Sequence, residues 1–287
     1  MSPRIAILTP DPGDDAFHTR WRDVLARYQT TLASAGLESV SVGWSDAEDL
    51  AGFDLVMPLL AWGYHRAVEH WTARTRALEA EGVRLRNSAS VLRWNADKAY
   101  LGRLAERGAP GVPTIYTDRV TQEVLADAAA AFGTGALVAK PRISATAWQT
   151  IRWSPGSPLE GGPDGAALVQ PYLPNIEESG EVSLIFFEGG FSHAIRKRPQ
   201  PGDFRVQPEY DGIITAHEPA ADEREAAQAA LAAAGEDLLY ARVDLVRGPD
   251  GKPVLMELEL VEPDLYLGFD PAAGARFADA VGRAARA

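Results

Sequence analysis

The sequence predicts an α/β protein that grades into α+β, and two patterns predict it. Over the first third, short apolar runs alternate with stretches of helical length. That alternation implies a parallel sheet with covering helices. Over the last third, strand signals follow one another across tight turns, which implies hairpins.

Residues 4–9 read as a short apolar strand that runs into the turn-rich stretch 10–15. A helix over 18–35 is closed by Gly36. Val40 and Val42 mark a second strand, 53–60 a third, and a helix over 66–81 stops at Gly82. The first unit ends near Val91. The next opens with Trp94-Asn95-Ala96-Asp97-Lys98 and a helix to about Gly108. Strands at 112–116, 136–140 and 166–170, a helix at 122–132 and a polar loop at 141–149 complete it, ending at Pro171-Tyr172-Leu173-Pro174. In the last unit, strands at 182–187 and 191–195 flank Glu188-Gly189-Gly190. A polar loop over 200–211 and an alanine-rich helix over 221–234 come next. Two strands then flank Pro249-Asp250-Gly251, and a helix covers the C-terminus.

Composition narrows the function. The 287 residues suffice for one large domain or two to three small ones. A net charge of −12 argues against general affinity for nucleic acid or anionic membrane, since both need a basic surface. The absence of cysteine excludes disulfides, thiolate metal sites and cysteine nucleophiles, and fits a reducing cytosol. The apolar run Ile5-Ala6-Ile7-Leu8 is too short for a signal peptide or membrane span. The expected location is therefore cytoplasmic.

The strongest local signal is Tyr240-Ala241-Arg242-Val243-Asp244-Leu245, a turn, and Val254-Leu255-Met256-Glu257-Leu258-Glu259-Leu260. Side chains alternate faces along a strand. Arg242 and Asp244 share one face, and Glu257 and Glu259 share one face; Met256, Leu258 and Leu260 are expected opposite. A turn centred near Asp250 and Gly251 places Asp244 across from Glu257 and Arg242 across from Glu259, within roughly 5 Å. Carboxylates that close repel unless a cation sits among them. Hard oxygen ligands of this kind suit Mg²⁺, with phosphate oxygens and water completing the octahedron. The alternative is a solvated strand face neutralised by Arg242 and lysines.

Lys140 closes the apolar strand Ala136-Leu137-Val138-Ala139, where a lysine is often aimed into a cleft. The following Arg142-Ile143-Ser144-Ala145-Thr146-Ala147 has small and hydroxyl residues whose backbone N–H groups could approach phosphate, although it lacks glycine. Lys98, Gln170-Pro171-Tyr172-Leu173 and Glu181 each read alone as a solvated lysine, a linker and a surface carboxylate. Asp11, Trp62, Tyr64 and His65 sit at the ends of N-terminal strands, where α/β sheets place ligands.

In order, these pieces resemble the ATP-grasp superfamily of carboxylate–amine ligases, which includes D-alanine–D-alanine ligase and glutathione synthetase. The similarity runs from Asn95 to about Pro263. It comprises Asn95-Ala96-Asp97-Lys98, Val138-Ala139-Lys140-Pro141, Gln170-Pro171-Tyr172-Leu173, Gly180-Glu181-Val182-Ser183 and the acidic hairpin. The resemblance implies an ATP-grasp fold behind an N-terminal Rossmann-like preATP-grasp domain over 1–91. A central lid subdomain would cover 92–170 and a core subdomain 171–287. It further implies ATP as nucleotide. Lys98, Lys140 and Ser144 would lie at its phosphates, Gln170, Tyr172 and Leu173 at adenine, and Glu181 at ribose. Two Mg²⁺ ions would lie on Asp244, Glu257 and Glu259. Arg242 would stabilise the reacting phosphate, with Arg198 and Arg205, around a lid at 200–211, closing over the γ-phosphate and substrate. The last metal position is commonly asparagine in the family and is Glu259 here.

Val91-Leu92-Arg93-Trp94-Asn95-Ala96-Asp97-Lys98 and Glu257-Leu258-Glu259-Leu260-Val261-Glu262-Pro263 look closer to the branch that contains the cyclo-ligase of D-cycloserine biosynthesis. That branch often carries Trp-Asp-Tyr in its first domain, where this chain has Trp62-Gly63-Tyr64-His65. The implied activity joins a small-molecule carboxylate, through an acyl phosphate, to an amine, in a protein that resembles homodimers. Its rivals are a kinase on the same nucleotide site, a silent nucleotide-binding protein and a two-lobed sugar-binding protein. The acidic hairpin disfavours the last.

Overall fold

The computed structural model describes residues 2–11, 20–46, 49–200, 205–206 and 212–287. The order is β1 (Arg4–Thr9), α1 (Arg20–Ser34), β2 (Glu38–Gly43), β3 (Leu55–Met57), α2 (Val68–Ala80), α3 (Ala89–Asn95), α4 (Tyr100–Glu106) and β4 (Ile115–Thr117). It continues with α5 (Gln122–Phe132), β5 (Leu137–Pro141), β6 (Ile151–Trp153), β7 (Ala167–Pro171), α6 (Asn175–Glu178), β8 (Glu181–Phe187) and β9 (Gly190–Arg198). The last elements are β10 (Ile213–His217), α7 (Ala221–Ala234), β11 (Tyr240–Arg247), β12 (Pro253–Glu259) and α8 (Ala273–Arg286).

These strands make three sheets. The first, β2-β1-β3, is parallel throughout, as the strand–helix alternation requires. The second, β4-β7-β5-β6, and the third, β10-β9-β8-β11-β12, are antiparallel. β6, α6 and β10, of three to five residues, lie outside the elements that the sequence pattern predicts. The predicted helix over 94–108 is two pieces, α3 and α4, with Lys98 at the break between them.

α1 buries Trp21, Val24, Leu25, Tyr28 and Leu32, a helical spacing that turns one face to the core. The same core takes Phe277, Ala280 and Val281 of α8, so the C-terminal helix packs beside α1 although it is distant in sequence. α7 turns a face of Ala226, Ala227, Ala230, Ala233 and Ala234 inward. Small side chains let it approach β11 and β12, the strands that carry the acidic hairpin. α5 begins at Thr121, whose Oγ1 accepts from the Val124 N–H at 3.2 Å, and ends at Gly133 in the left-handed conformation. Among the described residues, no helix is long and apolar enough to cross a membrane.

Candidate active site

One cleft is lined by residues of the second and third sheets and by Arg20, Trp62, Gly63 and Tyr64 of the first unit. Lys98, Lys140, Ser144, Gln170, Tyr172, Leu173, Glu181, Arg205, Arg242, Asp244, Glu257 and Glu259 all line it. Arg198 does not: it is exposed at the end of β9, opposite Ile213. The neighbouring Lys197 faces inward instead and is 4% exposed. The lid expected over 200–211 falls largely outside the described residues, which include only Gln200, Arg205 and Val206 of it.

The hairpin register places Arg242 opposite Glu259 and Asp244 opposite Glu257, as alternation predicts. The route differs from simple counting. Near the turn, Val246 pairs with Val254 and Leu245 with Leu255; the register then shifts between Asp244 and Leu245. Met256 is the extra residue of this β-bulge. Without it Asp244 would face Met256, and Glu257 would turn toward the core. The bulge also corrects the expectation for Met256, which lines the cleft beside Glu257 rather than pointing away. With Val112, Leu173, Ile176, Val246 and Val254 it forms an apolar slot.

Oxygen atoms of Asp244, Glu257 and Glu259 lie within 4.8 Å of one another. Protein cations answer their repulsion. The Arg242 Nε donates to Asp244 Oδ1 at 3.0 Å and Nη2 to Oδ2 at 2.9 Å; the same Nη2 reaches Glu259. Ser183 Oγ donates to Asp244 Oδ1 at 2.5 Å, and Lys197 Nζ lies 3.5 Å from Oδ2. Lys197 also pairs with Glu181, its cross-strand partner. Lys98 Nζ lies 3.0 Å from Glu257 Oε1 and donates to the Ser144 carbonyl at 2.7 Å. Lys98 is thereby tied to the loop after β5, whose Arg142 carbonyl also accepts from the Lys98 N–H at 2.8 Å.

The carboxylates are not equivalent. Burial would raise Asp244, but Arg242 and Lys197 outweigh it and hold it down at about 2. Burial acts the same way on Glu257, and Lys98 with Lys140 brings it below the ordinary value. Glu259 stays raised by burial, with Glu257 and Asp244 adding to the effect against Arg242. Lys140 is lowered by burial; Glu257 resists this and Lys98 adds to it. Among the described residues, the Lys140 ammonium makes no hydrogen bond or ion pair, so this half-buried cation is available to an anionic ligand.

The hinge residues are partly engaged already. Gln170 is buried, and its Nε2 donates to Thr114 Oγ1 at 2.8 Å. The Tyr172 hydroxyl bonds Glu177, and the Arg152 guanidinium lies 3.8 Å from its ring centroid. In the loop after β5, Thr146, Ala147 and Gln149 take positive φ of 49°, 54° and 53°. Left-handed turns are thus made there without glycine, which costs about 1–2 kcal/mol per residue.

At the other end of the cleft, the segment after β12 is extended and irregular. Glu262, Asp264 and Tyr266 line the cleft, while Val261, Pro263 and Leu265 are buried behind them. Each carbonyl from Leu260 to Leu265 accepts a hydrogen bond from a different side chain. In order, the donors are Asn87 at 2.9 Å, Tyr240 at 2.9 Å, Trp62 at 3.3 Å, Tyr28 at 3.4 Å, Arg242 at 3.4 Å and His193 at 2.9 Å. Burial keeps His193 below its usual range. The neutral ring can then donate from Nε2 to Leu265 and accept at Nδ1 from Ser192.

Trp62 and Tyr64 line this end as expected; Asp11 and His65 do not. Asp11 instead accepts from Ser45 Oγ at 2.5 Å, and His65 packs 6.3 Å from the Trp148 ring. Sequence reasoning missed Lys197, Met256, Glu262, Asp264 and Arg20. The alternation His193, Ile195, Lys197 would have found the first. The others carry no periodic signal.

Residues 5–87 match the family described as the N-terminal domain of the D-cycloserine synthetase DcsG. Over 270 residues the chain is 31% identical to the cycloserine biosynthesis protein DcsG of Streptomyces lavendulae, covering 86% of this chain and 89% of that protein. The crystal structure of D-cycloserine synthetase DcsG superposes with a TM-score of 0.84 at 26% identity, over 98% of this chain and 99% of that one. D-alanine–D-alanine ligase from Bacillus anthracis, in a crystal structure with ATP, shares the fold with a TM-score of 0.69 at 17% identity, over 100% and 97% of the two chains.

Proposed function

Because the chain belongs to the ATP-grasp ligases, in the branch that contains DcsG, and is an ATP-dependent carbon–nitrogen ligase, we propose that it activates a small-molecule carboxylate as an acyl phosphate and couples it to an amine-type nucleophile. The observation that carries this reading is the convergence of Asp244, Glu257 and Glu259 with Arg242, Lys98 and Lys140 in one cleft. Closely spaced carboxylate oxygens fit magnesium, which prefers hard oxygen ligands. Asp244, Glu257 and Glu259 would hold it, and when bound it neutralises charge on the polyphosphate.

The chain's own residues account for the rest. The apolar slot of Leu173, Val246 and Met256 receives the adenine face, with Gln170 and Tyr172 at its rim and Glu181 toward the ribose. Lys140, Lys98 and the Ser144 loop neutralise phosphate oxygens, and Arg205 approaches them from the far wall. Phosphoryl transfer needs little covalent help from protein; positioning and preorganised charge lower its barrier. Arg242 is held by two carboxylates and by the Asp264 carbonyl, so its guanidinium is fixed before charge develops. It stabilises the transferring phosphoryl group and then the tetrahedral oxyanion formed when nitrogen attacks the acyl carbon.

The test is a screen of amino acids and small dicarboxylates for ATP-dependent product, read by nucleotide analysis and mass spectrometry. ADP and phosphate should form in step with the coupled product. AMP forming in step with product instead would contradict the acyl phosphate route.

A further inference from the structure

Glu262 is an acid for which the site already described has no use. It lies beyond the carboxylates that converge for magnesium: only Asp244, Glu257 and Glu259 form that cluster among the described residues. Among the described residues, its carboxyl makes no ion pair and takes no hydrogen bond from another residue's side chain, yet it lines the cleft. Its neighbours on the same segment differ. Asp264 accepts from Arg20 at 3.1 Å and from the Tyr266 N–H at 3.0 Å.

The backbone that carries Glu262 is held more firmly than its lack of secondary structure suggests. The donors to its own carbonyl and the flanking ones come from the first sheet's surroundings (Trp62, Tyr28), from the connection before α3 (Asn87) and from the third sheet (Tyr240, Arg242, His193). Side chains from three parts of the molecule thus fix where one unpaired carboxyl points. Preorganisation of this kind is what a ligand contact requires, because the ordering cost is met before binding.

We propose that Glu262 is the residue that receives the N–H donors of the nitrogen substrate. This rests on the ligase reading above and adds to it the group that holds the nucleophile. A carboxylate recognises donors or cations and repels the acid that is to be activated, so Glu262 selects for nitrogen rather than for the carboxylate partner. Its place suits that role. Arg242, which the ligase reading sets at the reacting carbon, bonds the Asp264 carbonyl two residues on, and Trp62 bonds the Glu262 carbonyl itself. Burial raises the empty Glu262 carboxyl to about 8 against the pull of Lys98, so it holds its proton at neutral pH until an amine arrives to take it and leave a carboxylate beside the resulting cation.

Excess hydroxylamine tests this, since it traps an acyl phosphate without needing a dedicated binding residue. The amino-acid and dicarboxylate panel is run with ATP and hydroxylamine on the wild type, on Glu262→Gln and on Glu262→Asp. Hydroxamate and coupled product are measured in the same tube. Glu262→Gln should form hydroxamate at close to the wild-type rate while the ratio of coupled product to hydroxamate falls roughly tenfold or more, the loss expected for one hydrogen bond to a charged group. Glu262→Asp should recover part of that ratio. Equal Mg-ATP thermal shifts in the three proteins should show that the nucleotide end is intact. A ratio unchanged in Glu262→Gln, or hydroxamate and coupled product falling together, would overturn the proposal and leave the ligase reading standing. No ATP-dependent hydroxamate in the wild type would overturn that reading, and this one with it.

Discussion

Lys140, on β5, and Glu262, after β12, both line the cleft, and neither side chain has an ion-pair partner among the described residues. Between them, Arg242, Asp244, Glu257, Glu259, Lys98 and Lys197 are all paired. The paired middle holds its shape before any ligand arrives, and the two unpaired ends show what each side lacks: an anion beside Lys140 and a donor beside Glu262. The ends also differ in how they are built. Lys140 sits in a regular strand, held by ladder bonds to β7. Glu262 sits in an irregular segment, held by side chains.

The largest effect separating the two ends should come from Lys140→Met. Loss of a preorganised charge at a phosphate typically costs about 10²–10³ in turnover. Apo stability should hold or rise, because burial already disfavours this cation. Steady-state ADP release and thermal denaturation check both halves. A smaller effect should follow Met256→Ala, which trims the apolar slot but keeps the bulge. The KM for ATP should rise several-fold, on the order of 1–2 kcal/mol of lost apolar contact, with the coupled-product ratio unchanged. A changed ratio would mean that the two ends are not separable.

The third effect is a pH slope. A carboxyl raised from its ordinary value of 4.5 to about 8 binds its proton in the folded state across that window and not in the unfolded state. Stability of the apo wild type should therefore fall as pH rises from about 4.5 to about 8, relative to Glu262→Gln. Melting curves of the two proteins from pH 5 to pH 9 should diverge in the variant's favour. Parallel curves would show that Glu262 is solvated like an ordinary surface acid.

The same contrast explains what was legible in the sequence. Strand periodicity is short-range, so the facing of Arg242, Asp244, Glu257 and Glu259 could be read from alternation, and the order of motifs located Lys98, Lys140 and Gln170. The bulge at Met256 could not be read, because counting from an assumed turn centre reaches the same pairing by a different route. The sequence points to Arg198 rather than Lys197 because the strand signal stops at Ile195, two residues before the side chain that turns inward. The segment from Leu260 to Leu265 was hidden for a different reason. Its conformation is set by Tyr28, Trp62, Asn87, His193 and Tyr240, which lie from about 20 to more than 200 residues away in sequence and leave no local pattern.

The hairpin carboxylates carry most of the proposed chemistry, and Glu257→Gln tests them. The exchange is nearly isosteric and removes the Lys98 partner without adding bulk. Melting temperatures are measured for wild type and variant with buffer, with ATP and EDTA, and with Mg-ATP. Binding stabilises only the form that binds, so the wild type should gain clearly more from Mg-ATP than the variant does, and neither should gain that increment with EDTA. Equal Mg-ATP shifts in the two proteins, together with wild-type turnover in the variant, would show that these carboxylates form only a charged strand face.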